Sequence, residues 1–131
     1  LPIILISFSE IIIILGVASV IHWTIDLAAM AGIIAAIGTG VDHQIVITDE
    51  SLMEKGGEKR KRRSIKKRVE NAFFIIFTSA FTTIGAMAPL AYLSLGMLRG
   101  FAVTTIIGLL IGITITRPAY GSIAKIILKN Q

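Results

Sequence analysis

The chain has 131 residues, no cysteine and a formal net charge of +5; 54% of its residues are hydrophobic, only 16% are charged, and the mean hydropathy is +0.83. A soluble domain carries about 25% charged residues, so the composition points to an integral membrane segment. The missing cysteines exclude disulfides, thiol catalysis and thiolate metal sites. The chain opens on Leu1-Pro2 with no basic region ahead of its first apolar run. It therefore reads as a piece of a longer protein and not as one led by a signal peptide.

Four apolar runs are long enough to cross a bilayer, since about 20 residues at 1.5 Å rise cover about 30 Å of hydrocarbon. They lie at about 3–21, 27–48, 71–93 and 98–115, the last with an apolar continuation toward Leu128. The spacing predicts an all-α, polytopic transmembrane helix bundle within one domain, 1–131. Between runs one and two, His22-Trp23-Thr24-Ile25-Asp26 makes a short polar turn, where Trp23 suits the interface and Thr24 or Asp26 can cap the next helix. Gly32, Ala36 and Gly40 form a small-residue stripe on run two, and Thr104, Gly108 and Gly112 form another on run four. Such stripes let helix backbones approach closely in lipid. Pro89 is placed to kink or end the third helix.

The stretch 49–70 is a basic loop holding Lys55, Lys59, Arg60, Lys61, Arg62, Arg63, Lys66, Lys67 and Arg68. Nucleic-acid binding is the sharper reading of such a run. A cytoplasmic loop obeying the positive-inside rule is preferred, because Arg117, Lys125 and Lys129 then fall on the same side. This orients the N-terminus of the chain, the loop and the C-terminus toward the cytoplasm of a multi-pass cell-membrane protein. Ile65, Val69 and Phe73 at spacing i, i+4, i+8 suggest a basic helix on the lipid surface that runs into the third span.

The chemistry is concentrated in Gly38-Thr39-Gly40-Val41-Asp42-His43-Gln44. Asp42 lies inside the second apolar run, where a carboxylate costs about 2.5–3.5 kcal/mol. A partner, a water-filled cavity or protonation offsets that cost. The favoured reading is a proton-relay or ion-coupling carboxylate; the alternative is a structural carboxylate held by hydroxyls or by an Arg of another helix. Thr39 shares its face, and Thr78 and Thr82 on run three are placed to face it as hydroxyl donors. His43 points about 100° away from Asp42 and reads either as a relay extension or as an interfacial histidine. Glu10, midway along run one, reads either as a second titrating group or as a packing residue. No metal-ligand spacing, nucleophile–base pair or phosphate-binding glycine loop is present, so neither an enzyme nor a cofactor is expected.

The motifs Gly40-Val41-Asp42-His43-Gln44-Ile45-Val46-Ile47, Ala72-Phe73 through Phe77-Thr78 to Thr82-Thr83, and Gly96-Met97-Leu98-Arg99-Gly100-Phe101-Ala102-Val103-Thr104 resemble the membrane half of the SecD branch of the SecD/SecF protein-export family, relatives of the RND transporters. The resemblance covers essentially the whole chain, and Arg99-Gly100-Phe101 with the following residues is its most specific part. It implies that the four runs are equivalent to the last four of a six-helix RND-like membrane domain. It also implies proton-motive-force-dependent protein export with SecF and the Sec translocon channel as partners, translocating chains as substrate, and a proton-carrying role for Asp42. His43-Gln44, where bacterial members carry a small residue then Asn, looks archaeal-type. Thr78 stands where they carry a second Asp, which leaves Asp42 the sole matched proton site. Two other functions are compatible with these residues: an RND-type exporter of lipids or small molecules, and a non-transporting membrane scaffold.

Overall fold

The computed structural model describes residues 1–52 and 62–129, and the described residues are helical throughout apart from short turns. The helices are α1 (Pro2–Val20), α2 (Leu27–Leu52), α3 (Arg62–Leu93), α4 (Met97–Ile111) and α5 (Arg117–Lys129). A π-helical turn, Gly112–Thr116, joins α4 to α5 without a break, so the fourth span is one long rod. Among the described residues, four stretches are long and apolar enough to span a membrane: Pro2–Val20, Leu27–Asp49, Glu70–Leu93 and Met97–Ile123. The fourth extends eight residues past the apolar run at 98–115, because the π turn carries the helix through Arg117. The basic loop read at 49–70 lies partly outside the described residues. Its last part is helical from Arg62 and continuous with the third span.

Local chemistry sets the turns. α1 ends in a Schellman motif: Trp23 N–H donates to Ala18 O at 2.9 Å and His22 N–H to Ser19 O at 3.1 Å. His22 sits at the left-handed position, φ 54°, that glycine usually fills. Asp26 then caps α2, accepting a 2.7 Å hydrogen bond from Ala29 N–H. Gly96, φ 76°, opens α4 after the turn from α3. The π turn has a cause in Pro118. A proline ring clashes with the carbonyl four residues back; here the ladder widens, and Arg117 N–H reaches Gly112 O instead.

The most extensive contact is between α2 and α4, and their small-residue stripes face each other. A Cβ on Gly32 would lie 2.6 Å from Phe101 O, and one on Gly108 would lie 2.5 Å from the Ala36 Cβ. Thr104 and Thr105 use that closeness, donating across to Ala29 O at 3.1 Å and Gly32 O at 3.4 Å. α1 packs against α2, α4 and α5, burying Ile6, Glu10, Ile14 and Ala18 on one line. α3 packs on α2 and α4 through Ala72, Ile76 and Ala80. Its remaining faces carry Phe74, Phe77, Phe81 and Tyr92, all exposed to the surroundings of the bundle.

Candidate functional site

The core is layered. Ile6, Ile47, Ile76 and Tyr120 form an apolar cluster toward the end where α2 stops and α3 starts. Ile14, Ile33 and Ile111 form a second one toward the other end. Between them lies a polar layer of Glu10 from α1, His43 and Gln44 from α2, and Thr116 and Arg117 from the fourth span, all buried. Glu10 and Arg117 are each 1% exposed and Gln44 is 0%.

The π turn aims Arg117 inward. Side chains on a helix lean toward its N-terminus, so the guanidinium folds back over Gly112, whose missing Cβ would lie 2.7 Å from Arg117 Cζ. The same point is 3.0 Å from Glu10 Oε1, which puts carboxylate and guanidinium within about 6 Å of each other. On α2, a Cβ at Gly40 would lie 3.1 Å from Glu10 Oε2 and 3.7 Å from Arg117 Nη2. Glycine at 40 and 112 is therefore what lets both charges approach the backbone. Arg117 Nε donates to His43 Nδ1 at 3.0 Å. That bond makes Nδ1 an acceptor, so the neutral ring carries its proton on Nε2. Arg117, which the charge pattern counts only for its side of the membrane, is thus buried within the bundle. A buried carboxylate draws it into the core.

Asp42 lies on the other side of α2. It is exposed, as are Ile34, Ala35, Gly38, Ile45 and Asp49 on the same outward face. Its carboxylate takes no hydrogen bond from any described residue. Thr78 and Thr82 do not supply one. Both are exposed, and their hydroxyls donate at 2.8 Å to Phe74 O and Thr78 O of their own helix. The reason is geometric: a threonine four residues past a free carbonyl lone pair satisfies its hydroxyl locally. Thr39 does the same with Ala35 O at 3.0 Å. The polar groups therefore fall into two sets, with Asp42 outside and Glu10, His43, Gln44 and Arg117 inside.

Arg99-Gly100-Phe101 lies at the far end of the bundle. Arg99 is exposed and Gly100 is buried. A Cβ on Gly100 would stand 3.1 Å from Asp26 Oδ1, so glycine there admits the cap of α2. Phe101 O accepts from Thr104 and Thr105, at 3.1 and 2.7 Å. At this end the motif joins the α1–α2 turn to α4. Val41, next to Gly40 on α2 and away from this end, is a half-buried apolar residue.

Sequence reasoning named Gln44 in the polar stretch without assigning it a role, and counted Arg117 only among the charges of one membrane side. The signal for Arg117 was its position: Tyr120, Ile123, Ile126 and Ile127 continue the apolar pattern beyond it, so it is not the end of a run.

Comparison with known proteins agrees with this architecture. The model of the family described as "Protein export membrane protein SecD/SecF, C-terminal" matches residues 1–125. The chain belongs to this family. Among its SecD relatives, the "Protein-export membrane protein SecD" of Thermococcus gammatolerans is 57% identical over 131 residues, covering 100% of this chain and 25% of that protein. The protein of the same name in Methanocaldococcus jannaschii is 59% identical over 130 residues, 99% of this chain and 31% of the relative. The bacterial "Protein translocase subunit SecD" of Acidaminococcus fermentans is 34% identical over 116 residues, 86% of this chain and 28% of the relative. The chain thus spans about a quarter to a third of the length of these SecD proteins. No solved structure gives a significant match. SecD/SecF family membership and the four apolar helices among the described residues make this a multi-pass membrane segment.

Proposed function

We propose that this segment is the proton-coupled part of a SecD subunit that works with SecF and the Sec translocon channel to drive export with the proton motive force. The observation that carries the reading is Asp42: a carboxylate on the outward face of a membrane span with no hydrogen-bond partner among the described residues. A lipid-facing carboxylate is costly, so a second membrane subunit covering that face, with a donor or a cation opposite Asp42, accounts for its retention. Such a seam between subunits is a suitable place for a group that takes up and releases protons. Asp42 is four residues from the middle of the span Leu27–Asp49, or about 6 Å along the helix. The segment sits with residue 1, the basic stretch and the C-terminal residue on the cytoplasmic side, in keeping with the positive-inside rule.

The test is export of a secreted reporter by the full-length protein carrying Asp42→Asn, Asp42→Glu or no change, with and without a protonophore. Asp42→Asn is expected to insert and assemble normally yet export no faster than the unmodified protein does with its gradient collapsed. Asp42→Glu keeps a titrating group and is expected to retain part of the activity. Normal export by Asp42→Asn under a full gradient would reject proton carriage by Asp42 and favour a scaffolding role.

A further inference from the structure

Five polar atoms in the buried layer have no hydrogen-bond partner among the described residues: Glu10 Oε1, Gln44 Oε1 and Nε2, and Arg117 Nη1 and Nη2. Their side chains are each no more than 1% exposed. They belong to three different elements, and Glu10 and Arg117 converge between Gly40 and Gly112, with Gln44 one turn along α2 from Gly40. Buried polar groups in native proteins are nearly always satisfied. Five such atoms converging in one layer therefore point to a ligand.

The mixture of atoms selects the ligand. Glu10 Oε1 and Gln44 Oε1 accept hydrogen bonds, while Gln44 Nε2 and both Arg117 Nη atoms donate. The opposed charges of Glu10 and Arg117 leave little net attraction for either a cation or an anion. A small neutral molecule that donates and accepts in several directions matches all five. Apolar clusters close the layer above and below, so the ligand must be small. Water has these properties, and buried waters typically make two to four hydrogen bonds to such groups.

We propose that Glu10, Gln44 and Arg117 form an internal water-binding site in the core of the bundle, separate from Asp42. Thr48 and Tyr120 extend it. Thr48 is one turn beyond Gln44, Tyr120 is nearly one turn beyond Arg117, and their hydroxyls are hydrogen-bonded to each other across α2 and α5. Thr48 O–H donates to Gln44 O at 2.8 Å, so its oxygen accepts from Tyr120 O–H, and the pair is a polar step from the layer toward the end of the bundle where α2 stops. His43, held by Arg117, borders the same site. This inference does not rest on the role of Asp42 in export.

Hydroxyl-radical footprinting of the full-length protein in lipid nanodiscs tests it. Radicals made by X-ray radiolysis of water mark side chains beside bound water even where bulk solvent is excluded. His43 is only 7% exposed, yet it is expected to oxidise about tenfold faster in the unmodified protein than in the apolar double variant Glu10→Leu/Arg117→Leu. Equal oxidation of His43 in the two proteins would overturn the proposal. Gln44→Leu keeps both charges and decides the matter should the double variant fail to assemble. It is expected to lower His43 oxidation about threefold, and an unchanged rate would overturn the proposal equally.

Discussion

Removing Glu10 alone should be far more damaging than removing Glu10 and Arg117 together. Both side chains are 1% exposed, and their charges lie within about 6 Å of each other across Gly112. At an effective dielectric constant of about 20, that separation corresponds to about 3 kcal/mol of attraction. Glu10→Leu deletes it and leaves the Arg117 guanidinium buried with His43 Nδ1 as its one hydrogen-bond acceptor among the described residues. The expected loss of stability is about 3–5 kcal/mol, the usual result of stranding one member of a buried pair. Glu10→Leu/Arg117→Leu removes both desolvation penalties and should recover most of that loss, ending within about 1 kcal/mol of the unmodified protein. The assay is reversible unfolding of the four variants of the cycle in mixed micelles, with the coupling energy read from the double-mutant comparison. Two single variants that each cost less than about 1 kcal/mol and simply add would refute the buried pairing. Arg117 would then have to be satisfied elsewhere, as a surface charge would be.

Two further substitutions probe the frame around the site. His22→Gly replaces a left-handed histidine in the Schellman turn and should stabilise the protein by about 0.5–1 kcal/mol in the same unfolding assay. A loss of stability would mean that the His22 ring makes a contact worth more than its backbone strain. Gly108→Ala places a methyl group 2.5 Å from the Ala36 Cβ and 3.3 Å from Ile14 Cδ1. Ile14 can rotate, but Ala36 cannot, so α2 and α4 must part at a cost of about 1–3 kcal/mol. Crosslinking between cysteines placed on α2 and α4 would report the separation, and an unchanged crosslinking rate would contradict it.

The four spans and their small-residue stripes were readable from the chain because each depends on one helix at a time. A run of apolar residues has to cross about 30 Å, and glycine or alanine every fourth residue marks one face. Asp42 was readable for the same reason, as a charge inside an apolar run. What it faces was not, because the rotation of α2 against α3 is a property of two helices. The threonines at 78 and 82 look like donors in sequence, yet they bond their own helix. The burial of Arg117 was not legible, because charge counting assigns a basic residue to a side of the membrane and not to a depth in the bundle. Pro118 forces the π turn, which rotates Arg117 into the core, and a helical wheel built on 3.6 residues per turn does not contain that rotation. Glu10 was visible as an isolated acid, and its partner could be named only once α1 and the fourth span were side by side.

If Asp42 carries protons during export, proton flux across the membrane depends on it. The full-length protein and its membrane partners would be reconstituted in vesicles with a trapped pH-sensitive dye and supplied with a translocating chain. Substrate-dependent proton entry is expected, abolished by Asp42→Asn and retained by Glu10→Leu/Arg117→Leu. Substrate-dependent proton entry of undiminished rate through Asp42→Asn would contradict proton carriage by Asp42.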